Sequence, residues 1–226
     1  MRFYVPTEGP QDWRLLLADP DKHWVRGRSA RTLAHCWEDA SGLPPEVAAA
    51  VEASPYEELH DLKPLMAFPE HKVPLPGGTR ASQTDVMVLA TSKGYGLIAV
   101  AVEGKVDESF DRPVRDWLGG SPSPGQHERL RYLCDLLRIP EGDADDTPYQ
   151  LLHRTASALI QTDDMRGDAA VMLVHTWGGL AGFGEYADFV SLLGGQAESG
   201  KLTLISRLSP PLYLGWVQGD PRWLEA

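Results

Sequence analysis

The sequence predicts an α/β fold, a mixed central sheet flanked by helices with strand additions towards the C-terminal end. Three observations predict it. Helical and strand periodicities alternate in the order α-β-β-β-α-β: helices near 29–53, strands near 71–76, 84–91 and 96–103, helices near 126–161 and a strand near 169–176. The run Ala169-Ala170-Val171-Met172-Leu173-Val174 is apolar without a break, the mark of a central strand covered on both faces. A helix pattern over 185–193 and strand patterns over 201–206 and 213–217 follow it. No repeat and no long low-complexity linker divides the 226 residues, so a single domain over 1–226 is expected, with a core about 28–177 and a C-terminal α/β extension about 184–218.

Each element has a local reason. Pro10 stands near the first position of a short helix, and Asp19-Pro20-Asp21 ends it. Ser29 can cap a helix running to about Ala40, with Ala30, Leu33, Ala34 and Trp37 as its apolar stripe and Gly42 and Pro44 as its stop. Residues 45–53 make a third, alanine-rich helix. A short helical piece is expected within 56–66, and 71–76 is a strand whose prolines assign it to a sheet edge. Residues 84–90 and 100–105 read as two strands, joined by the polar, glycine-bearing loop 91–96 of a hairpin. A helix is expected around 112–118, a flexible loop over 119–125, and helices over 126–137 and 148–161. The acidic loop 141–146 lacks the ligand spacing of an EF-hand and reads as solvated.

Composition narrows the function. A net charge of -11 argues against a protein whose main work is tight, non-specific binding to phosphates. Fifteen arginines against six lysines, with local groups at Arg26, Arg28 and Arg31, at Arg112 and Arg115, and at Arg129 and Arg131, leave open either a local basic groove or scattered solvated side chains. No apolar run is long enough to span a membrane, and residues 1–6 lack the apolar stretch of a signal peptide. Cys36 and Cys134 are the only cysteines, too few for a disulfide framework or a cysteine zinc site, so a reducing cytoplasm is the expectation. No Gly-x-Ser-x-Gly and no Gly-x-x-x-x-Gly-Lys-Ser/Thr occurs, which removes support for serine-hydrolase and P-loop chemistry.

The chemistry-bearing stretch is Val100-Ala101-Val102-Glu103-Gly104-Lys105. Side chains alternate on a strand, so Glu103 and Lys105 share a face. Asp85 begins the preceding strand, and in an antiparallel hairpin the start of one strand lies beside the end of the next. An acid two residues before a lysine also occurs at Asp61-Leu62-Lys63 and Glu70-His71-Lys72, but only Glu103-Gly104-Lys105 ends a clear apolar strand after another strand carrying an acid. Gln150, His153, Arg154 and Ser157 fall at i, i+3, i+4 and i+7, one face of the helix over 148–161. His175 ends the apolar strand; it reads either as a phosphate or metal ligand or, more simply, as a packed, hydrogen-bonded residue.

The layout Asp85…Glu103-Gly104-Lys105 on a hairpin, with the α-β-β-β-α-β order, resembles the PD-(D/E)XK superfamily of restriction-endonuclease-like nucleases over roughly residues 28–177. Thr84 stands where that motif has its proline, and the Gln-x-x-x-Tyr spacing of one branch is absent because Tyr149 precedes Gln150. The resemblance implies phosphodiester hydrolysis of nucleic acid, DNA before RNA. It implies Asp85, Glu103 and Lys105 as catalytic residues, and Mg²⁺ (or Mn²⁺) held by Asp85, Glu103, the carbonyl of Gly104 and Glu38 on the first core helix, with Glu70 in reserve. It also implies Gln150, His153 and Arg154 near the scissile phosphate, and pairing as a homodimer. Two other readings stand beside it: a nuclease-like fold serving as a binding or regulatory module, and an unrelated α/β protein in which Glu103 and Lys105 form a strand-end ion pair.

Overall fold

The computed structural model describes residues 7–226; the N-terminal hexapeptide read above for leader character lies outside the described residues. The chain is α/β. Six strands form one mixed sheet in the order β1-β2-β3-β4-β6-β5. They are β1 Lys63–Val73, β2 Ser82–Thr91, β3 Ile98–Lys105, β4 Ala169–Thr176, β5 Leu202–Ile205 and β6 Leu212–Gln218. The helices are α1 Pro20–His23, α2 Ser29–Asp39, α3 Pro45–Glu52, α4 Val114–Leu118, α5 Pro124–Leu137, α6 Tyr149–Asp164 and α7 Phe183–Leu192, and Pro10–Leu16 is a 3-10 helix.

β1, β2 and β3 form an antiparallel meander. β4 lies parallel to β3 after a crossover through α4, α5 and α6, β6 is parallel to β4, and β5 closes the sheet antiparallel to β6. Every residue of β3 and of β4 is buried, as the apolar run at 169–174 predicted for β4. The alternation of the strands sorts their side chains into two cores. Met87, Ala99, Ala101 and Met172 pack against α5, α6 and α7. Val86, Val100, Val102 and Val171 pack against α2 and α3, through Leu33, Trp37, Val47 and Val51.

The region 56–76 differs from its sequence reading. A single 3-10 turn at Glu57–Leu59 replaces the expected helical piece, and the strand starts at Lys63 and ends at Val73 rather than covering 71–76. Pro64 and Pro69 hid it, because a proline cannot donate to a ladder. Among the described residues β1 is a sheet edge paired with β2 alone, where the missing N–H groups can face outward. The ladder also shifts register between Pro64 and Met66. No helix among the described residues is long and apolar enough to cross a membrane.

Candidate functional site

Strand register places three carboxylates in a row. Val86 lies opposite Val102, so one step further along the same ladder Asp85 lies opposite Glu103. Pro69 lies opposite Val86 and His71 opposite Thr84, so Glu70 lies opposite Asp85. Directly opposed residues of antiparallel strands are side-chain neighbours. Glu70 has φ 52°, a left-handed conformation uncommon for a residue with a side chain, while the residues on either side of it keep the β1–β2 register.

α6 covers the end of this row. Its Gln150 and Arg154, one turn apart, face the sheet rather than solvent. Arg154 Nε donates to Glu103 Oε2 at 2.5 Å, and Gln150 Nε2 donates to Glu103 Oε1 at 2.7 Å. The amide oxygen of Gln150 accepts from Lys105 Nζ at 2.8 Å, so one glutamine bridges the acid and the amine with both ends of its amide used. Lys105 Nζ also lies 3.3 Å from Glu103 Oε1, 3.4 Å from the Ser109 carbonyl and 4.9 Å from the centre of the Phe110 ring. Glu103, Lys105 and Arg154 are 4, 6 and 8% exposed, so this is an ion cluster withdrawn from water. Elsewhere in the row, Asp85 Oδ2 accepts from the Gly104 N–H at 2.8 Å, and Glu70 Oε2 accepts from Gln83 Nε2 at 2.8 Å.

The electrostatics divide the three acids. Burial pushes Glu103 up, but the Arg154 guanidinium and the Lys105 ammonium outweigh it, and the carboxyl titrates below its ordinary range. Asp85 goes the other way: burial first, then the neighbouring Glu103 and Glu70 carboxylates, raise it well above the usual value. Glu70 is pushed up to about 7, chiefly by burial. The Arg154 charge lowers all three acids, but only at Glu103, which Arg154 and Lys105 bond directly, do the cations outweigh burial.

Glu70, Asp85, Glu103, Lys105, Gln150 and Arg154 all line one cleft of about 300 Å³ at the sheet end. The N-terminal turn of α2 forms another wall through Ser29 and Ala30, with His23 and Glu108 also lining it. Glu108 satisfies that helix end: its carboxylate accepts from the Ser29 N–H and hydroxyl and from the Val106 N–H. His153 sits apart from the cleft. Its Nδ1 faces Ser82 Oγ at 2.8 Å, and burial with the nearby Arg154 lowers its pKa well below the usual value, so it is a neutral acceptor. Ser82 in turn receives Arg154 Nη1 at 3.1 Å and Ser157 Oγ at 2.8 Å, so the polar stripe of α6 turns inward as a positioning network. Glu38 is not brought to the cleft. It lies nine residues beyond Ser29 on α2, about 13 Å along the helix, and accepts from Trp13 Nε1 at 2.8 Å. Within the arginine groups, Arg28 pairs with Asp107, Arg26 with Glu225 and Arg115 with Asp146, while buried Arg129 donates to the carbonyls of Leu75 and Pro76.

His175 lies near the end of β4, on the α2 side of the sheet, where Cys36, Glu46 and His175 bring ligand-type atoms within 4.8 Å of one another. Two of its atoms, His175 Nε2 and Glu46 Oε2, are buried without a hydrogen-bond partner, while His175 Nδ1 is engaged. Trp37 Nε1 donates to His175 Nδ1 at 3.1 Å, which uses that lone pair and leaves the ring proton on Nε2. A metal on Nδ1 would have to displace the fully buried indole of Trp37, and a metal on Nε2, a buried atom without a hydrogen-bond partner, would have to take the place of the ring proton.

Sequence reasoning found the hairpin acids and the lysine. It held Glu70 only in reserve, because its role depends on the β1–β2 register, and it passed over Ser82, Gln83 and Glu108, which carry no motif.

Fold and cleft together define an α/β protein with a mixed six-stranded sheet and a buried acid–amine–guanidinium cluster at one sheet end. The chain belongs to the family described as a domain of unknown function, DUF6946, whose model matches residues 6–221. Neither a curated protein nor a solved structure matches it.

Proposed function

We propose that the chain is a divalent-metal-dependent phosphodiester hydrolase that cuts nucleic acid, DNA before RNA, on a restriction-endonuclease-like core. The observation that carries this reading is the convergence of Asp85, Glu103, Lys105, Gln150 and Arg154, from three elements, on one 300 Å³ cleft. The αβββαβ order over residues 29–176 supports the core assignment.

The donor set fits Mg²⁺ or Mn²⁺. Both ions favour hard oxygen ligands and retain waters and substrate oxygens, and the row of carboxylates opens onto a cleft with room for them. When bound, the ion supplies Lewis-acid polarisation of the phosphoryl group and a more acidic water. The chain's own residues do the rest. Gln150 fixes Lys105 beside Glu103, so the ammonium is aimed before substrate arrives. Its longest bond, 3.4 Å to the Ser109 carbonyl, is the one a phosphoryl oxygen replaces. The ammonium then stabilises negative charge that grows on the phosphorane-like oxygens. Arg154 neutralises Glu103, so the anionic substrate meets less repulsion in an acidic protein. The same reading assigns the protein to a reducing compartment such as the cytoplasm, consistent with free, buried Cys36 and Cys134, and has it work as a homodimer.

One observation favours a second reading, a nuclease-like module that binds without cutting: both oxygens of Glu103 are already engaged by protein donors.

The test is cleavage of plasmid, linear duplex, single-stranded DNA and RNA with Mg²⁺, with Mn²⁺ and with EDTA. Cutting that depends on metal and is lost at least a hundredfold in both Lys105→Ala and Asp85→Ala is the expected result. Cutting that survives both substitutions overturns the site. Metal binding without cutting on any substrate favours the silent module.

A further inference from the structure

We propose that Glu103 is a positioning carboxylate, which holds Arg154, Gln150 and Lys105 over the cleft, and that the divalent ion is taken instead by Asp85 together with Glu70. The inference rests on the metal-dependent reading above and changes which acids serve it.

The argument is one of occupancy. Glu103 Oε2 is taken by Arg154 Nε at 2.5 Å, and Oε1 by Gln150 Nε2 at 2.7 Å with Lys105 Nζ at 3.3 Å. An ion on the same carboxylate would enter beside two fixed cations and would have to break a bond to a buried arginine. That arginine is itself anchored, Nη1 on Ser82 Oγ at 3.1 Å, and Ser82 is held by Ser157 at 2.8 Å, so it cannot swing away without unpairing a buried network.

The neighbouring acids are in the opposite condition. Asp85 bonds the Gly104 N–H and Glu70 bonds the Gln83 amide, each through one oxygen and each to a neutral donor. They come from the adjacent strands β1 and β2, line the same cleft as Lys105, and have no cation hydrogen-bonded to them. A dication goes to carboxylate oxygens that no protein cation already occupies, and here those belong to Asp85 and Glu70.

The assignment also gives Glu103 a task. Through Gln150 it fixes the direction of the Lys105 ammonium, and through Arg154 it fixes a guanidinium at the cleft wall. Glu103 thus acts through other residues, not on the reacting atoms.

Mn²⁺ binding to the metal-free protein, measured by calorimetry and by loss of the free-ion electron paramagnetic signal, tests this, with near-ultraviolet circular dichroism to check each fold. Glu70→Gln and Asp85→Asn should each weaken Mn²⁺ binding at least tenfold. Glu103→Gln should bind Mn²⁺ within about threefold of the wild type while its kcat for cleavage falls at least a hundredfold, a split that a merely structural role would not give. Mn²⁺ bound as tightly by Glu70→Gln as by the wild type overturns the proposal, whatever Glu103→Gln does. Loss of Mn²⁺ binding in a folded Glu103→Gln protein overturns it as well, and either result leaves the hydrolase reading standing. A wild-type protein that binds no Mn²⁺ overturns the hydrolase reading, and this assignment with it.

Discussion

Arg154 shows how much one buried side chain can decide. It enters the cleft from α6, and its guanidinium reaches Glu103 and Ser82 from a position 8% exposed. Removing one partner of a buried ion pair leaves the other charge desolvated, which costs about 3–5 kcal/mol. Arg154→Met should therefore lower unfolding stability by about that amount in denaturant titration. The double variant Arg154→Met with Glu103→Leu should cost less than the sum of the two single changes, because the orphaned carboxylate is gone. Additivity within a few tenths of a kcal/mol would mean that the two groups do not couple. Gln150 illustrates a related point. Its amide can bridge an acid and an amine only with nitrogen towards Glu103 and oxygen towards Lys105, so its orientation follows from its partners.

Among the elements, β3 and the turn after β4 share responsibility for where Lys105 stands. Trp177 N–H donates to the Lys105 carbonyl at 2.8 Å, and Gly178 then passes directly over Val106. A Cβ on Gly178 would lie 1.5 Å from the Val106 carbonyl oxygen, a rigid backbone atom. Gly178→Ala should thus destabilise the protein by about 1–3 kcal/mol, the usual range for overpacking, and displace the end of β3. A shifted denaturation midpoint together with weakened cleavage would show this; an unchanged midpoint would show that the turn relaxes freely. β1 teaches the reverse lesson. Its two prolines look like strand breakers until the strand is seen to be an edge, and only then does Glu70 come into the cleft with Asp85.

For the molecule as a whole, acid stability depends on neutral histidines held inside. His175 is fully buried, accepts from Trp37, and has its pKa lowered to about 3 by burial. Its folded value lies below the unfolded one, so the unfolded chain binds the extra proton. Stability is therefore fully present above about pH 6.5 and declines as pH falls towards 3, by up to about 1.4 kcal/mol per pH unit. His153, also lowered, acts in the same sense. Glu70, raised to about 7, acts in the opposite one: its contribution is present at low pH and lost as pH rises through that value. His175→Asn, which keeps an acceptor near Nδ1 for Trp37, should flatten the loss of melting temperature between pH 6.5 and 4.5. Parallel melting curves for variant and wild type over that range would show that His175 does not drive the acid transition.

Much of this molecule was legible in one dimension, for reasons that are local. The unbroken apolar run 169–174 is short, as a strand covered on both faces is, and it lies in β4. Alternation puts Glu103 and Lys105 on one face, and a short glycine-bearing loop pairs β2 with β3 antiparallel, so Asp85 and Glu103 come together from spacing alone. Folding in three dimensions decided the rest. Whether the polar stripe of α6 meets water or the sheet depends on which helix face the core claims, and here Arg154 and Gln150 turn inward. Glu38 lies on a helix that does reach the cleft, but at its far end. Glu70 joins the acids only through the register of an edge strand. Periodicity and motif act over a few residues, whereas a cation shared between α6 and β3, or a cleft lined by carboxylates of both β1 and β2, exists only after distant segments have packed.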